Sequence, residues 1–283
     1  MIGIALNLGF VIIEAVFGVV SHSMALIADA GHNLSDVLGL GLAWGAMILA
    51  QRAPSPERTY GLRGSTILAS VANSVVLLFV VGGVAWESTR RLMSPEPVAS
   101  KTIICVALAG VVVNGASALL FMKGRKSDLN VRSAFLHLAS DAVLSLGVAI
   151  AGVIMLFTSW WWVDPVVSIA LALVILGATW SLLKSSLHLA VQGVPEHVDM
   201  LAVRAYLASV PGVIEVHDLH VWSMSTTDVA LTAHLVMPID ACTPNLLGEI
   251  AKRLHDEFAI EHSTIQVCPP EAPECVLAPA GRV

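Results

Sequence analysis

Six long apolar stretches constrain the fold of this chain more than any other feature. Each is long enough to cross the roughly 30 Å hydrocarbon core of a bilayer, which takes about 20 helical residues. The sequence is 56% hydrophobic and only 13% charged, unlike that of a water-soluble domain. Because the stretches lack the period-two alternation of barrel strands, they predict transmembrane helices. They lie at about 2–20, 24–50, 65–90, 100–123, 132–157 and 164–190.

The loops between these stretches indicate the orientation in the membrane. An even number of spans puts both chain ends on one side. The breaks at 51–64 and 124–132 are rich in Arg and Lys, whereas 160–164 has neither, so the positive-inside rule places both termini in the cytoplasm. Because the first span begins at Ile2, we expect a cytoplasmic tail to precede it in the complete protein. Three basic residues on the outer side oppose this orientation: Arg90, Arg91 and Lys101.

From about residue 193 the sequence changes to that of a small soluble domain. Charged residues become frequent, and apolar residues alternate as in half-buried strands. The predicted elements are a helix at 197–209, strands at 213–222 and 229–236, a helix at 244–258 and a strand at 263–267. This α-β-β-α-β order predicts an open α+β sandwich with the helices on one face of the sheet. We therefore expect a membrane domain at 1–192 and a cytoplasmic domain at 193–283.

Charge and cysteine content exclude several classes of partner and site. The net charge is −6 and no run of Lys or Arg is present, which argues against binding of nucleic acid. No C-x-x-C pair occurs, so neither a zinc ribbon nor a disulfide framework is indicated, and the cysteines fit a reducing compartment. The four cysteines are Cys105, Cys242, Cys268 and Cys275.

Two identical polar motifs interrupt the second and fifth apolar stretches: His32-Asn-Leu-Ser-Asp36 and His137-Leu-Ala-Ser-Asp141. The i,i+4 spacing puts each His and Asp on one helix face. An ionisable group at the bilayer centre costs roughly 3 kcal/mol, so these residues require mutual compensation or a function. If the two faces oppose each other, their nitrogen and oxygen atoms form a tetrahedral set suited to Zn²⁺. The alternative is a pair of satisfied polar contacts between helices, which the duplication disfavours.

Other polar residues in the apolar stretches are less specific. They either line a water path or form hydrogen bonds between helices, and we favour the hydrogen bonds. Asp29 is distinct because it lies one turn before Asn33 and near the His32 face, where a hydrogen bond to a metal ligand is plausible. The set comprises Asn7, Glu14, Asp29, Asn73 and Asn114.

The soluble domain contains weaker candidates for a second metal site. His217 and His220 are three residues apart, so on one regular strand they point to opposite faces and cannot both bind one ion without a turn. Ordinary packing of strand histidines is the alternative. The candidates, on or beside predicted strands, are His217, His220, His234, His262 and Cys268.

Together these motifs resemble the cation diffusion facilitators, and within them the zinc-exporting bacterial and vesicular zinc transporters. The resemblance runs from residue 3 to residue 275. It rests on the segments 23–36, 58–63, 130–141, 164–165, 196–199, 217–222 and 261–266.

The resemblance implies a homodimer whose ferredoxin-like cytoplasmic domains associate, and exchange of cytoplasmic Zn²⁺ for protons by alternating access. It assigns the transport ligands to the two His-x-x-x-Asp motifs and makes His220, His234 and His262 ligands of the cytoplasmic domain. Arg58 and Leu62 stand where some relatives carry metal-binding histidines, so we expect no site in that loop. A bacterial inner membrane is the expected location.

The ligand types also favour proton exchange independently of the family. Histidine binds zinc only as neutral imidazole and aspartate only as carboxylate, so metal loading releases protons. The alternatives are Cd²⁺ or Co²⁺ as main substrate and a membrane-anchored metal sensor without flux. An enzyme is disfavoured, because no His-Glu-x-x-His occurs and four protein ligands leave no open metal position for water.

Overall fold

The computed structural model of the chain describes residues 2–122 and 129–271 and contains the six predicted long helices. Five of the described helices are long and apolar enough to span a membrane, and the described side chains of the first form a shorter apolar segment, Leu8–Val20. The bounds are α1 Ile2–Val20, α2 Met24–Ala50, α3 Ser65–Met93, α4 Ser100–Phe121, α5 Leu129–Thr158 and α6 Val163–Ala190.

The chain divides into two compact units. The first, here the helical unit, comprises Met1–Leu42 and Ala72–Leu183. The second, here the mixed unit, comprises Ala43–Val71 and Lys184–Val283. It therefore groups the end of α2, the start of α3 and the end of α6 with the C-terminal α+β region.

Small residues allow close packing in the helical unit. A Cβ added at Gly152 on α5 would lie 2.8 Å from Ile104 Cγ1 on α4, and one added at Gly110 would lie 3.0 Å from Phe10 and from Ser145. These glycines therefore let α4 approach both α1 and α5. In a bilayer, such close backbone approach is a main source of helix association, because lipid tails are as apolar as the side chains.

The start of α2 is capped by a carboxylate from a different helix. Asp164, in the first turn of α6, accepts a hydrogen bond of 2.7 Å from the Met24 amide and another from the Ser23 hydroxyl. Its side chain is fully buried. The first amides of a helix have no partner within the helix, and a negative charge is favourable there. This contact joins α2 to α6 and fixes the first turn of the helix that carries His32.

The C-terminal region has the predicted α-β-β-α-β order, which is confirmed. Asp199 caps the first helix by accepting from the amides of Leu201 and Ala202, and Thr243 caps the second. The strand order is β1-β2-β3, with β1 antiparallel and β3 parallel to β2. The elements are α7 Met200–Ala208, β1 Glu215–Ser223, β2 Val229–Val236, α8 Pro244–Phe258 and β3 His262–Cys268.

Both helices of this region cover the same face of the sheet. Val203 of α7 and Leu254 of α8 are fully buried and share one core with Leu231 and Leu235 of β2. The opposite face of the sheet therefore carries the alternate residues of each strand.

A β-bulge in β1 changes which residues lie on that opposite face. Asp218 has a φ of 51°, and the pairing shifts there, so that His217 pairs with His234 and His220 with Thr232. The extra residue shifts the alternation of side chains between the two faces of the sheet. Val216 and Leu219 both lie in the core, so the residues that follow them, His217 and His220, both point to the opposite face. The prediction of opposite faces is wrong, because it assumed a regular strand.

We expect Asp164→Ala to lower the stability of the folded protein by about 1–3 kcal/mol, because it leaves buried donors at the start of α2 unsatisfied. For a chain of this size the melting temperature in detergent should fall by roughly 5 °C. Glu96→Ala, at an exposed loop carboxylate, is the control and should melt like the wild type. Equal melting temperatures for both variants would contradict the capping role.

Candidate metal centres

Two histidines and two aspartates meet between α2 and α5 in the helical unit. His32 Nε2 lies 3.7 Å from an Asp36 oxygen and 3.4 Å from an Asp141 oxygen. His137 Nε2 lies 3.4 Å from Asp36 and 3.6 Å from Asp141. The imidazole rings are edge-on, with centroids 6.2 Å apart. The structure thus brings all four predicted residues together, with each histidine beside both carboxylates.

These separations can be compared with the dimensions of a zinc site. Bonds of about 2.0–2.2 Å place the ligand atoms of a tetrahedron about 3.3–3.6 Å apart. The four His–Asp separations, 3.4–3.7 Å, are at or just beyond that range. Asp36, His137 and Asp141 each offer a ligand atom within 4.8 Å of the others. A small inward movement of His32 would complete the set.

The four side chains differ in exposure. Asp141 is 5% exposed and His32 17%, whereas Asp36 is 30% and His137 50% exposed. The site is therefore closed behind Asp141 and accessible beside His137.

A buried polar layer adjoins these ligands. Asn33 Nδ2 donates to Glu14 Oε2 at 3.1 Å, and Ser145 Oγ donates to Asp29 Oδ2 at 2.9 Å. Asp29 thus accepts its hydrogen bond from Ser145, one turn beyond Asp141, and no hydrogen bond joins it to a metal ligand among the described residues. The Asn7 side chain lies outside the described residues.

In the mixed unit, the sheet face opposite α7 and α8 carries all five candidate ligands of the soluble domain. The bulge puts both β1 histidines on this face. On β3, His262 and Cys268 lie on it too, because they alternate with Ile265 and Val267, which pack on the core. The candidates on this face are His217, His220, His234, His262 and Cys268.

Three of these five residues converge. His217, His234 and Cys268 each offer a ligand atom within 4.8 Å of the others. His217 and His234 are direct cross-strand partners, with ring centroids 5.2 Å apart. Both His217 ring nitrogens are buried without a hydrogen-bond partner among the described residues, a costly state for a polar group. A histidine pair with a nearby thiol is a donor set suited to zinc.

Of the other two candidates, His220 is linked to this cluster through Asp218, and His262 lies apart from it. His220 Nε2 is 2.9 Å from Asp218 Oδ1, and His234 Nε2 is 3.4 Å from Asp218 Oδ2. His262 of β3 pairs with Ala230 of β2. Ala230 is four residues from His234 along β2, which corresponds to about 13 Å. Within one chain, therefore, the set implied by the resemblance does not converge. Asp218 was not anticipated, although its place between two histidines was a usable signal.

Comparison with known proteins identifies the class. The family described as the cation efflux transmembrane domain matches residues 1–189, and the cation efflux protein cytoplasmic domain matches residues 195–270. The chain belongs to the cation efflux family, which confirms the resemblance to the cation diffusion facilitators. It is a divalent-cation efflux transporter and not an enzyme.

Relatives with described functions cover nearly the whole chain. The metal cation efflux system protein CzcD of Cupriavidus metallidurans is 38% identical over 94% of this chain and 84% of CzcD. The cadmium, cobalt and zinc/H(+)-K(+) antiporter of Bacillus subtilis is 34% identical over 92% of this chain and 85% of its own length. The zinc transporter ZitB of Escherichia coli is 35% identical, with coverage of 95% and 87%.

The bulge at Asp218 provides a test of the geometry in the mixed unit. Asp218→Val should destabilise the sheet by about 1–2 kcal/mol, because a β-branched residue is strained at positive φ. Asp218→Asn removes the same charge but tolerates this conformation, so it is the matched control. Hydrogen–deuterium exchange of the β1 peptide should be faster in the Val variant, and equal exchange would argue against the bulge.

Proposed function

We propose that this transporter exports Zn²⁺ from the cytoplasm in exchange for protons, with the His32, Asp36, His137 and Asp141 side chains as its transport site. The observation that carries the proposal is the convergence of the four side chains at separations of 3.4–3.7 Å. Ionisable groups inside a bilayer are costly and mark ion pathways. Two imidazoles and two carboxylates form a donor set that fits Zn²⁺.

Proton exchange follows from the chemistry of these ligands. Metal binding requires neutral imidazole and ionised carboxylate, so protons leave as Zn²⁺ enters and return as it leaves. The Bacillus subtilis relative is described as an antiporter and ZitB as a zinc transporter. Both descriptions support exchange of Zn²⁺ for protons. Cd²⁺ and Co²⁺, named for the Bacillus protein, are the alternative substrates, because nitrogen and oxygen sites select weakly among these ions.

We also propose a homodimer in a bacterial inner membrane, with both termini in the cytoplasm. The match of residues 195–270 to a family described as a cytoplasmic domain supports the location of the C-terminal end, and six spans then return the N-terminus to the same side. The proposed division is a membrane domain at 1–192 and a cytoplasmic, dimer-forming domain at 193–283.

The transport site is tested by metal uptake into proteoliposomes with an imposed pH gradient, using Zn²⁺, Cd²⁺, Co²⁺ and Mn²⁺ separately. Asp141→Asn should reduce Zn²⁺ uptake by more than about 100-fold, because loss even of an outer-shell partner can weaken metal binding by 10–100-fold. Asp256→Asn, at an exposed carboxylate of α8, should transport like the wild type. Wild-type rates from Asp141→Asn would refute this site.

We further propose that His217, His234 and Cys268 bind a second Zn²⁺ in the cytoplasmic domain. The unpartnered His217 ring favours this, because a bound ion would satisfy one of its nitrogens. Such a site would report cytoplasmic zinc to the transporter. The sensor alternative relies on the same cluster but predicts no flux, so metal binding without uptake in the proteoliposome assay would favour it.

The second site is tested with Co²⁺ as a coloured probe, in full-length protein carrying Asp36→Ala and Asp141→Ala. Coordination by Cys268 should produce a thiolate-to-cobalt charge-transfer band in the near ultraviolet. Cys268→Ser should abolish the band, and Cys242→Ser should retain it, since Cys242 lies outside the cluster. A band that survives Cys268→Ser would exclude the proposed ligand set.

A further inference from the structure

Two carboxyl groups are buried beside the transport site without being among its ligands. Glu14 on α1 is 0% exposed and Asp29 on α2 is 1% exposed. Glu14 accepts a hydrogen bond from Asn33, one turn after Asp29 on α2, which makes the two carboxyl groups neighbours in the buried layer. A buried, uncompensated pair of negative charges is among the costliest arrangements in a bilayer, so the pair requires an explanation.

The hydrogen bonds around the pair account for half of its oxygens. Glu14 Oε2 accepts from Asn33, and Asp29 Oδ2 accepts from Ser145. The other two oxygens, Glu14 Oε1 and Asp29 Oδ1, are buried with no donor among the described residues. Ionised carboxylates only accept hydrogen bonds, and two of them repel. One shared proton supplies the missing donor and removes one charge, as in carboxylate dyads.

Few other titratable groups face this pair in the described part of the helical unit. His32 on α2 and Asp141 on α5 act on Asp29 by charge. The buried face of α4 carries no titratable residue, and its buried polar residues are Ser100 and Asn114. On α6, Asp164 is engaged at the start of α2. The charged residues of α3 lie in its last two turns and pair with one another: Glu87, Arg90 and Arg91.

The position of the pair connects the transport site to one end of the helices. Asp29 precedes His32 by three residues, and its partner Ser145 follows Asp141 by one turn. Glu14 lies six residues before the end of α1, about 9 Å, and Asp29 five residues after the start of α2, about 8 Å. In the proposed orientation, these helix ends face away from the cytoplasm.

We propose that Glu14 and Asp29 together bind one proton and relay protons from the non-cytoplasmic side of the membrane to the metal ligands. The role on this route rests on the proposed function. As Zn²⁺ leaves, the shared O–H bond breaks and the proton passes to a vacated metal ligand. A proton from the non-cytoplasmic side then restores the pair, so the pair itself neither gains nor loses a proton over the cycle.

Infrared difference spectroscopy tests the shared proton without any transport. The wild-type protein, metal-free at neutral pH, should show the carbonyl band of a protonated carboxyl group with a shift in D₂O. Both Glu14→Gln and Asp29→Asn should remove this band. Glu87→Gln, at a carboxylate paired with Arg90 and Arg91, should retain it. Absence of the band in the wild type, or its persistence in both pair variants, would overturn the proposal.

Transport by Glu14→Gln tests the role on the route. The amide can donate to Asp29 and accept from Asn33, so the fold and Zn²⁺ binding should be preserved, while the exchangeable proton is lost. We expect Zn²⁺/Zn²⁺ exchange to persist and uptake driven by the pH gradient to fall at least about tenfold, by analogy with loss of a proton-transfer group. Glu87→Gln should match the wild type in both assays.

Two results of the transport assays would overturn the role on the route. Wild-type gradient-driven uptake by Glu14→Gln would mean that only the hydrogen bonds matter. Loss of both exchange and uptake would place Glu14 in the moving scaffold instead. If the wild type itself shows no gradient-driven uptake, the proposed function fails, and the infrared spectrum still decides whether the pair holds a proton.

Discussion

The requirement that every polar group in hydrocarbon have a partner governs the helical unit. At the start of α2 it is met by a carboxylate from α6, since Asp164 takes the hydrogen bonds that the first turn cannot make within the helix. Between α1 and α2 it is met by the bond from Asn33 to Glu14. The same requirement makes the remaining unpartnered atoms informative, because a buried polar atom in a bilayer requires a bound proton, ion or water as its partner.

Helix α2 is the element on which these contacts converge. Its first turn is held by Asp164, its next turn carries Asp29, and the following turns carry His32 and Asp36. Two of the four ligands therefore lie on a helix whose start is anchored. The other two lie on α5, where His137 is at the more exposed side of the site. A change in the packing of α2 against α5 would alter the His32–Asp141 and His137–Asp36 separations together, which is the kind of concerted change that alternating access requires.

Much of this architecture is visible in the sequence, because the signals are long or duplicated. Apolar stretches of about 20 residues predict spans, and the repeated His-x-x-x-Asp spacing selects the four residues that the structure brings together. The bulge at Asp218 was missed, since it depends on one residue adopting a positive φ. The pairing of Glu14 with Asp29 was also missed, because no periodicity links residues on different helices. Features set by single residues or by tertiary contact need coordinates.

The nearness of the buried carboxyl pair to the metal ligands bears on how metal and protons are coupled. Asp29 is three residues from His32, and its partner Ser145 is one turn from Asp141. Charges a few ångströms apart interact by several kcal/mol at the effective dielectric of a protein interior. A divalent ion at the ligands therefore weakens the hold of the pair on its proton, so that the proton passes on as the ion leaves, and the absence of the ion then favours return of a proton to the pair. Competition between metal and proton at the ligands is thus reinforced by the buried pair, because one short segment of α2 carries both Asp29 and His32.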